Sequence, residues 1–221
     1  MAEIFTIPVH DASVSHCGFD QTDCSLIRPD DVPDDLWYAV ESVHHMDRVE
    51  SIDYHELRVP ASLADFGIGV ELSCTPSSNL QSQNRRSANP EHPNIPQALA
   101  PTHRPSGWIM ILYSSEPRLE WDSQWRCVAF FSTEIVIQEH DSLTSSMFLD
   151  EMMAHLTSVQ TDSVRGTVTV SENQSFGVIE QEESCSCEIR VSWTPAGVES
   201  HGLEADLQVQ MWAQYLRDMA F

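Results

Sequence analysis

Two stretches decide the fold: Val164-Arg165-Gly166-Thr167-Val168-Thr169-Val170 and Cys185-Ser186-Cys187-Glu188-Ile189-Arg190-Val191-Ser192-Trp193. Each alternates with period two, the spacing of a strand that turns one face to a core and the other to water. Glu180, Glu182 and Glu183 fall between them, where a solvated turn belongs, so the pair reads as a β-hairpin. The alternation also assigns faces. Cys185, Cys187, Ile189, Val191 and Trp193 turn inward with Val164, Val168 and Val170; Ser186, Glu188, Arg190 and Ser192 turn outward with Arg165, Thr167 and Thr169.

Working outward, the chain closes on Leu203, Leu207, Met211, Trp212, Tyr215, Leu216 and Met219, spaced as the apolar face of a helix. Trp193 and Trp212 are therefore expected in the core. Ahead of the hairpin, Ser142 to Val159 reads as a helix with Asp141 or Ser142 as N-cap and Leu149, Met152, Leu156 and Val159 on one face. Trp125 to Ile137, with Trp121 just before it, reads as a long strand. Phe66 to Cys74 and Gly107 to Ser114 are short, β-prone stretches of a buried sheet. Pro29-Asp30-Asp31-Val32-Pro33-Asp34-Asp35 places proline and carboxylates at the positive end of a helix whose apolar stripe is Leu36, Val40 and Val43, backed by Trp37.

The expectation is a single α+β domain over residues 30–221, an antiparallel sheet of five or six strands in the order helix, three strands, helix, two strands, helix. A short extra strand near Tyr54 to Val59 would supply the sixth. Residues 1–29 lack sustained periodicity and are expected to form an extended or disordered arm. Residues 75–106 carry six of the twelve prolines, with three Arg against one Glu, and are expected to form a mobile insertion. The element order resembles the type III secretion chaperone-like fold, whose members are mostly binding proteins.

Charge narrows the function classes. Eleven basic residues against 34 acidic ones give a formal charge of −23, which repels phosphate backbones and anionic membrane surfaces. Direct nucleic-acid binding is not expected. All the basic residues are Arg and none is Lys, so Schiff-base chemistry and a phosphate-loop lysine are excluded. The longest apolar stretch, Trp108 to Tyr113, is far short of the roughly 20 residues of a membrane-spanning helix. Met1 to Phe5 lacks a basic region and a continuous apolar run, so a cytoplasmic location is expected. Six unevenly spaced cysteines (Cys17, Cys24, Cys74, Cys127, Cys185 and Cys187) suit reduced thiols better than a disulfide framework.

No glycine-rich phosphate loop, Gly-x-Ser-x-Gly elbow or His-Glu-x-x-His helix occurs. His10, Asp11, His16, Cys17, Asp20 and Cys24 form a local cluster without a recognised metal-pair spacing. Cys185 and Cys187 share an inward face and read as core thiols. His44 and His45 are adjacent, so on a helix they diverge by about 100° and are poorly placed to share a ligand. No cofactor is expected.

Local strings are similar to one family: Arg126 to Phe131 (RCVAFF), Gly166 to Thr169 (GTVT), Ser175 to Gly177 (SFG), Glu188 to Pro195 (EIRVSWTP) and Trp212 in the closing helix. They resemble the domain of unknown function 3000 family over roughly Pro33 to Ala220. The resemblance implies an actinobacterial, intracellular protein and supplies no activity, cofactor or catalytic residue. Its gene surroundings associate the family with RNA processing. The chain departs from the family pattern in its arm, its long insertion and its acidity.

Two function classes follow. The first is a protein-binding or adaptor module without catalytic activity, its partner another protein. The second is an enzyme or small-molecule sensor of unrecognised type, or an accessory protein linked to RNA processing. The partner-contact candidates are Arg165 and Arg190, which the hairpin turns outward on an acidic chain, where a guanidinium suits a partner carboxylate or phosphate. The competing expectation is that each Arg offsets a neighbouring carboxylate, as Glu188 is placed to do for Arg190.

Overall fold

The hairpin alternation appears in three dimensions as two long antiparallel strands, β6 (Arg165–Asn173) and β7 (Ser184–Trp193), in register from Arg165↔Ser192 to Asn173↔Ser184. The structure, a computed structural model, describes residues 4–5, 28–75, 104–135, 143–174, 176, 184–198 and 201–220. Most of the arm over 1–29, the insertion over 76–103, the turn carrying Glu180, Glu182 and Glu183, and the candidate N-caps Asp141 and Ser142 lie outside the described residues.

The hairpin faces fall as its alternation predicts. Cys185, Cys187, Ile189, Val191 and Trp193 are buried, Val164, Val168 and Val170 are half-buried against them, and Arg165, Thr167 and Thr169 are exposed. The remaining elements are β1 (Ile4–Phe5), α1 (Asp34–His45), β2 (Ile52–Glu56), β3 (Phe66–Cys74), β4 (Ser106–Arg118), β5 (Ser123–Ile135), α2 (Thr144–His155) and α3 (Ala205–Asp218). The sheet runs β1-β3-β4-β5-β7-β6. Antiparallel β2 and the two-residue parallel β1 share the outer edge of β3 one after the other. The fold class is thus α+β, with six antiparallel strands and three α-helices among the described residues.

All three helices cover one face of the sheet. Leu36, Ala39, Val40 and Val43 of α1 and Val209, Trp212, Tyr215 and Leu216 of α3 pack on Ile68, Leu72, Ile109, Ile111, Trp125, Phe131, Ile189 and Trp193. The opposite face has a smaller core of Val59, Ala64, Met110, Leu112 and Trp121. Gly69 lets the chain after β2 cross there: a Cβ at Gly69 would lie 2.1 Å from the Leu57 carbonyl oxygen.

Two residues expected inside lie outside. Leu149 is 43 % exposed and Leu207 is 41 % exposed. α2 stops at His155, so Leu156 and Val159 reach the core from non-helical backbone, and only Thr144 and Met152 are buried within the helix. The helix therefore lies on the margin of the sheet, with Leu149 at its rim. In the first turns of α3 the inward position belongs to Gln208, which is 1 % exposed, and Leu207 is turned out beside it.

Candidate functional site

Among the described residues β6 has β7 on one side and no strand on the other, so nine residues of edge are presented for pairing. An unprotected edge of that length is a template for an added strand. Beside it, on the helix-bearing face, an open groove of about 400 Å³ runs between α2 and β6. Leu149 and Met153, one helical turn apart, form one wall; Val164 and Val168 form the other. Gly166 has no side chain to fill the middle, and the floor is Ile189 and Val191. A Cβ at Gly166 would stand 2.4 Å from the Arg190 carbonyl oxygen, so the backbone of β7 keeps that position as glycine and the groove open.

The groove depends on how α2 is held. His155 Nε2 lies 3.1 Å from Asp218 Oδ2 of α3 and its ring meets Tyr215 edge-on, while Nδ1 lies 2.9 Å from the Glu151 carbonyl oxygen. Burial alone would lower the His155 pKa, but the Glu151 and Asp218 contacts outweigh it and raise it above the ordinary value. Asp218 is held low although burial opposes this, through His155 and Arg217. The raised histidine stabilises the fold fully below its unfolded pKa and loses that contribution as pH rises through the folded one. The lowered aspartate contributes above its unfolded pKa and loses it as pH falls. The clasp is therefore expected to act most strongly between about pH 4 and 6.5. His155→Gln should flatten the slope of the unfolding midpoint on the alkaline side of that window, by less than about 1 kcal/mol for such a half-exposed pair. Thermal melts from pH 5 to 8 check this, and an unchanged slope would show that the clasp is idle.

The outward positions of β5, β6 and β7 carry Arg126, Arg165 and Arg190. Arg190 Nη2 lies 2.7 Å from Glu188 Oε2, as the neighbour-offset expectation requires, and its guanidinium lies over the Phe130 ring at 5.4 Å. Phe130 stacks on Trp108 at 5.8 Å, so Trp108, Phe130, Arg190 and Thr167 form one cross-strand row. Arg165 is exposed and pinned by Nη1, which donates to the carbonyls of Asp162 and Val164 at 2.7 Å. The two candidate arginines share a face but have different neighbours. Arg165 lies by a polar hollow with Arg126, which is not among the sequence-based candidates although it interrupts the apolar run from Trp125 to Phe131 at an outward position.

The other suspected chemistry is quiet. Burial pushes the Cys187 thiol up to about 12, with Cys185 and Glu188 adding to it, and burial raises Cys127 and Cys185 as well, so these thiols stay protonated. His44 and His45 meet edge-on at 5.0 Å, and His45 Nδ1 lies 2.8 Å from the Glu41 carbonyl oxygen. Among the described residues no three His, Cys, Asp or Glu side chains converge as metal ligands; the cluster from His10 to Cys24 lies outside them. No helix of the described residues is long and apolar enough to cross a membrane.

Among the described residues the architecture is an open-faced α+β sheet with one long edge, β6, that no other strand covers. The family described as a protein of unknown function (DUF3000) matches residues 32–220, and the chain belongs to it. No curated protein and no solved structure matches, so the likeness to the type III secretion chaperone-like fold rests on element order alone.

Proposed function

We propose that this chain is a protein-binding module that takes an extended segment of a partner protein along β6. Alternate apolar side chains of that segment enter the groove beneath α2. The observation that carries this reading is the combination of a nine-residue edge strand with an apolar groove directly beside it. Main-chain pairing along the edge supplies affinity, and side-chain pockets at a spacing of two residues supply selectivity. The chemistry asks nothing of a lysine or a cofactor, in keeping with the composition.

The test places a photo-crosslinking amino acid at Thr167 in the full chain and irradiates native cells. A discrete adduct is expected, lost when Leu149 and Met153 are both changed to Glu with the melting transition retained. Each buried apolar contact is worth about 1.5–3 kcal/mol, so either single change should weaken binding about tenfold or more. Absence of an adduct, or one indifferent to both changes, would overturn the reading.

A further inference from the structure

The polar hollow at the start of β6 stands apart from the groove and does not depend on it. It has a volume of about 210 Å³, and its walls include Arg126, Arg165 and Gln160, with Glu120, Asp122 and Asp162 also lining it. Arg126 is 8 % exposed. Its Nη2 donates to Ser192 Oγ at 2.7 Å and its Nη1 to Thr194 Oγ1 at 3.2 Å, both uncharged acceptors. Among the described residues no carboxylate pairs with Arg126 or Arg165. A buried guanidinium without a counter-charge is costly, and a second guanidinium beside it adds to the cost. Burial holds Arg126 below its ordinary pKa, and the charge of Arg165 pushes the same way.

The hydroxyls nearby are already committed. Thr194 Oγ1 donates to the Trp121 carbonyl at 2.7 Å, and Ser163 Oγ donates to the Gln160 carbonyl at 2.6 Å while accepting from the Thr194 amide at 2.8 Å. Ser192 and Thr194 fix the position of Arg126, and the remaining guanidinium N–H groups, with Gln160 on the wall, are left for a ligand. Those donors call for an oxyanion. The three carboxylates on the wall penalise a doubly charged phosphate more than a singly charged group.

We propose that this hollow is a binding site for a single carboxylate group, held by Arg126 and Arg165 and hydrogen-bonded by Gln160. The carboxylate would come from a small organic acid or from the end of a peptide chain. At constant ionic strength and pH 7, sodium acetate should shift the Arg Nε–Hε resonances saturably, whereas sodium chloride should not. Arg165→Gln, at an exposed position, should weaken acetate binding about tenfold or more, the loss of one charge-assisted contact. Arg126→Gln should abolish it if that variant folds. Leu149→Glu and Met153→Glu should leave it unchanged, which separates failure of this site from failure of the groove. A triglycine with a free carboxylate that binds more tightly than acetate, and loses binding on amidation, would assign a chain end; equal binding would assign a small acid. Shifts that never saturate, inorganic phosphate binding more tightly than acetate, or Arg165→Gln binding like wild type would overturn the proposal.

Discussion

Replacing Trp212 by Ala is expected to cost about 3–5 kcal/mol of stability, and Trp193→Ala a similar amount. Both side chains are 0 % exposed and their rings meet 5.9 Å apart, where α3 crosses the strands. Trp212 also stacks near Tyr215 at 5.1 Å and donates from Nε1 to the Phe130 carbonyl at 3.2 Å. Truncation thus removes a large buried area, opens a void that neighbouring β5 and β7 backbones cannot fill, and loses the indole bond to the Phe130 carbonyl. The check is urea unfolding at constant slope, because a shifted midpoint with an unchanged slope reports stability alone. Midpoints like wild type in both variants would mean that the tryptophan cluster is not the keystone of the helix layer.

That cluster was legible because large apolar residues at fixed period state their side. Cys185 to Trp193 alternates without a break, and Leu36, Val40 and Val43 recur at helical spacing, so the sheet face and α1 could be read directly. The sites were less legible for a physical reason. A groove arises from what is missing: Gly166 leaves a gap in β6, and α2 sits at the sheet margin with only Thr144 and Met152 buried. Leu149 looked like core because periodicity records apolar phase and not whether anything stands opposite. Arg165 and Arg190 were readable as outward, but their neighbours depend on register across β5, β6 and β7. Arg126 is paired with Ser192 and Thr194, residues 66 and 68 positions away, and no local pattern carries that.

Gln208 shows the same limit from the polar side, and it is expected to be the most sensitive polar residue in the core. Its Oε1 accepts the Trp193 Nε1 proton at 2.8 Å and lies 3.9 Å from Cys127 Sγ, while its Nε2 donates to the Ser158 carbonyl at 3.0 Å. One amide therefore ties α3 to β7 and to the segment after α2, and it occupies the position where sequence periodicity placed Leu207. Gln208→Leu keeps much of the volume but leaves the indole N–H without a partner, whereas the Ser158 carbonyl keeps its bond from the Ala196 amide at 3.0 Å. A buried donor left unpaired costs about 1–3 kcal/mol, which is the expected loss. A double-mutant cycle isolates the cause. Trp193→Phe removes the stranded donor, so the step from Gln208 to Leu should be milder by about 0.5–3 kcal/mol in that background than in wild type. Strict additivity of the two changes in urea unfolding would show that the Trp193 to Gln208 hydrogen bond contributes nothing, and that Gln208 is buried only because the helix leaves it no other place.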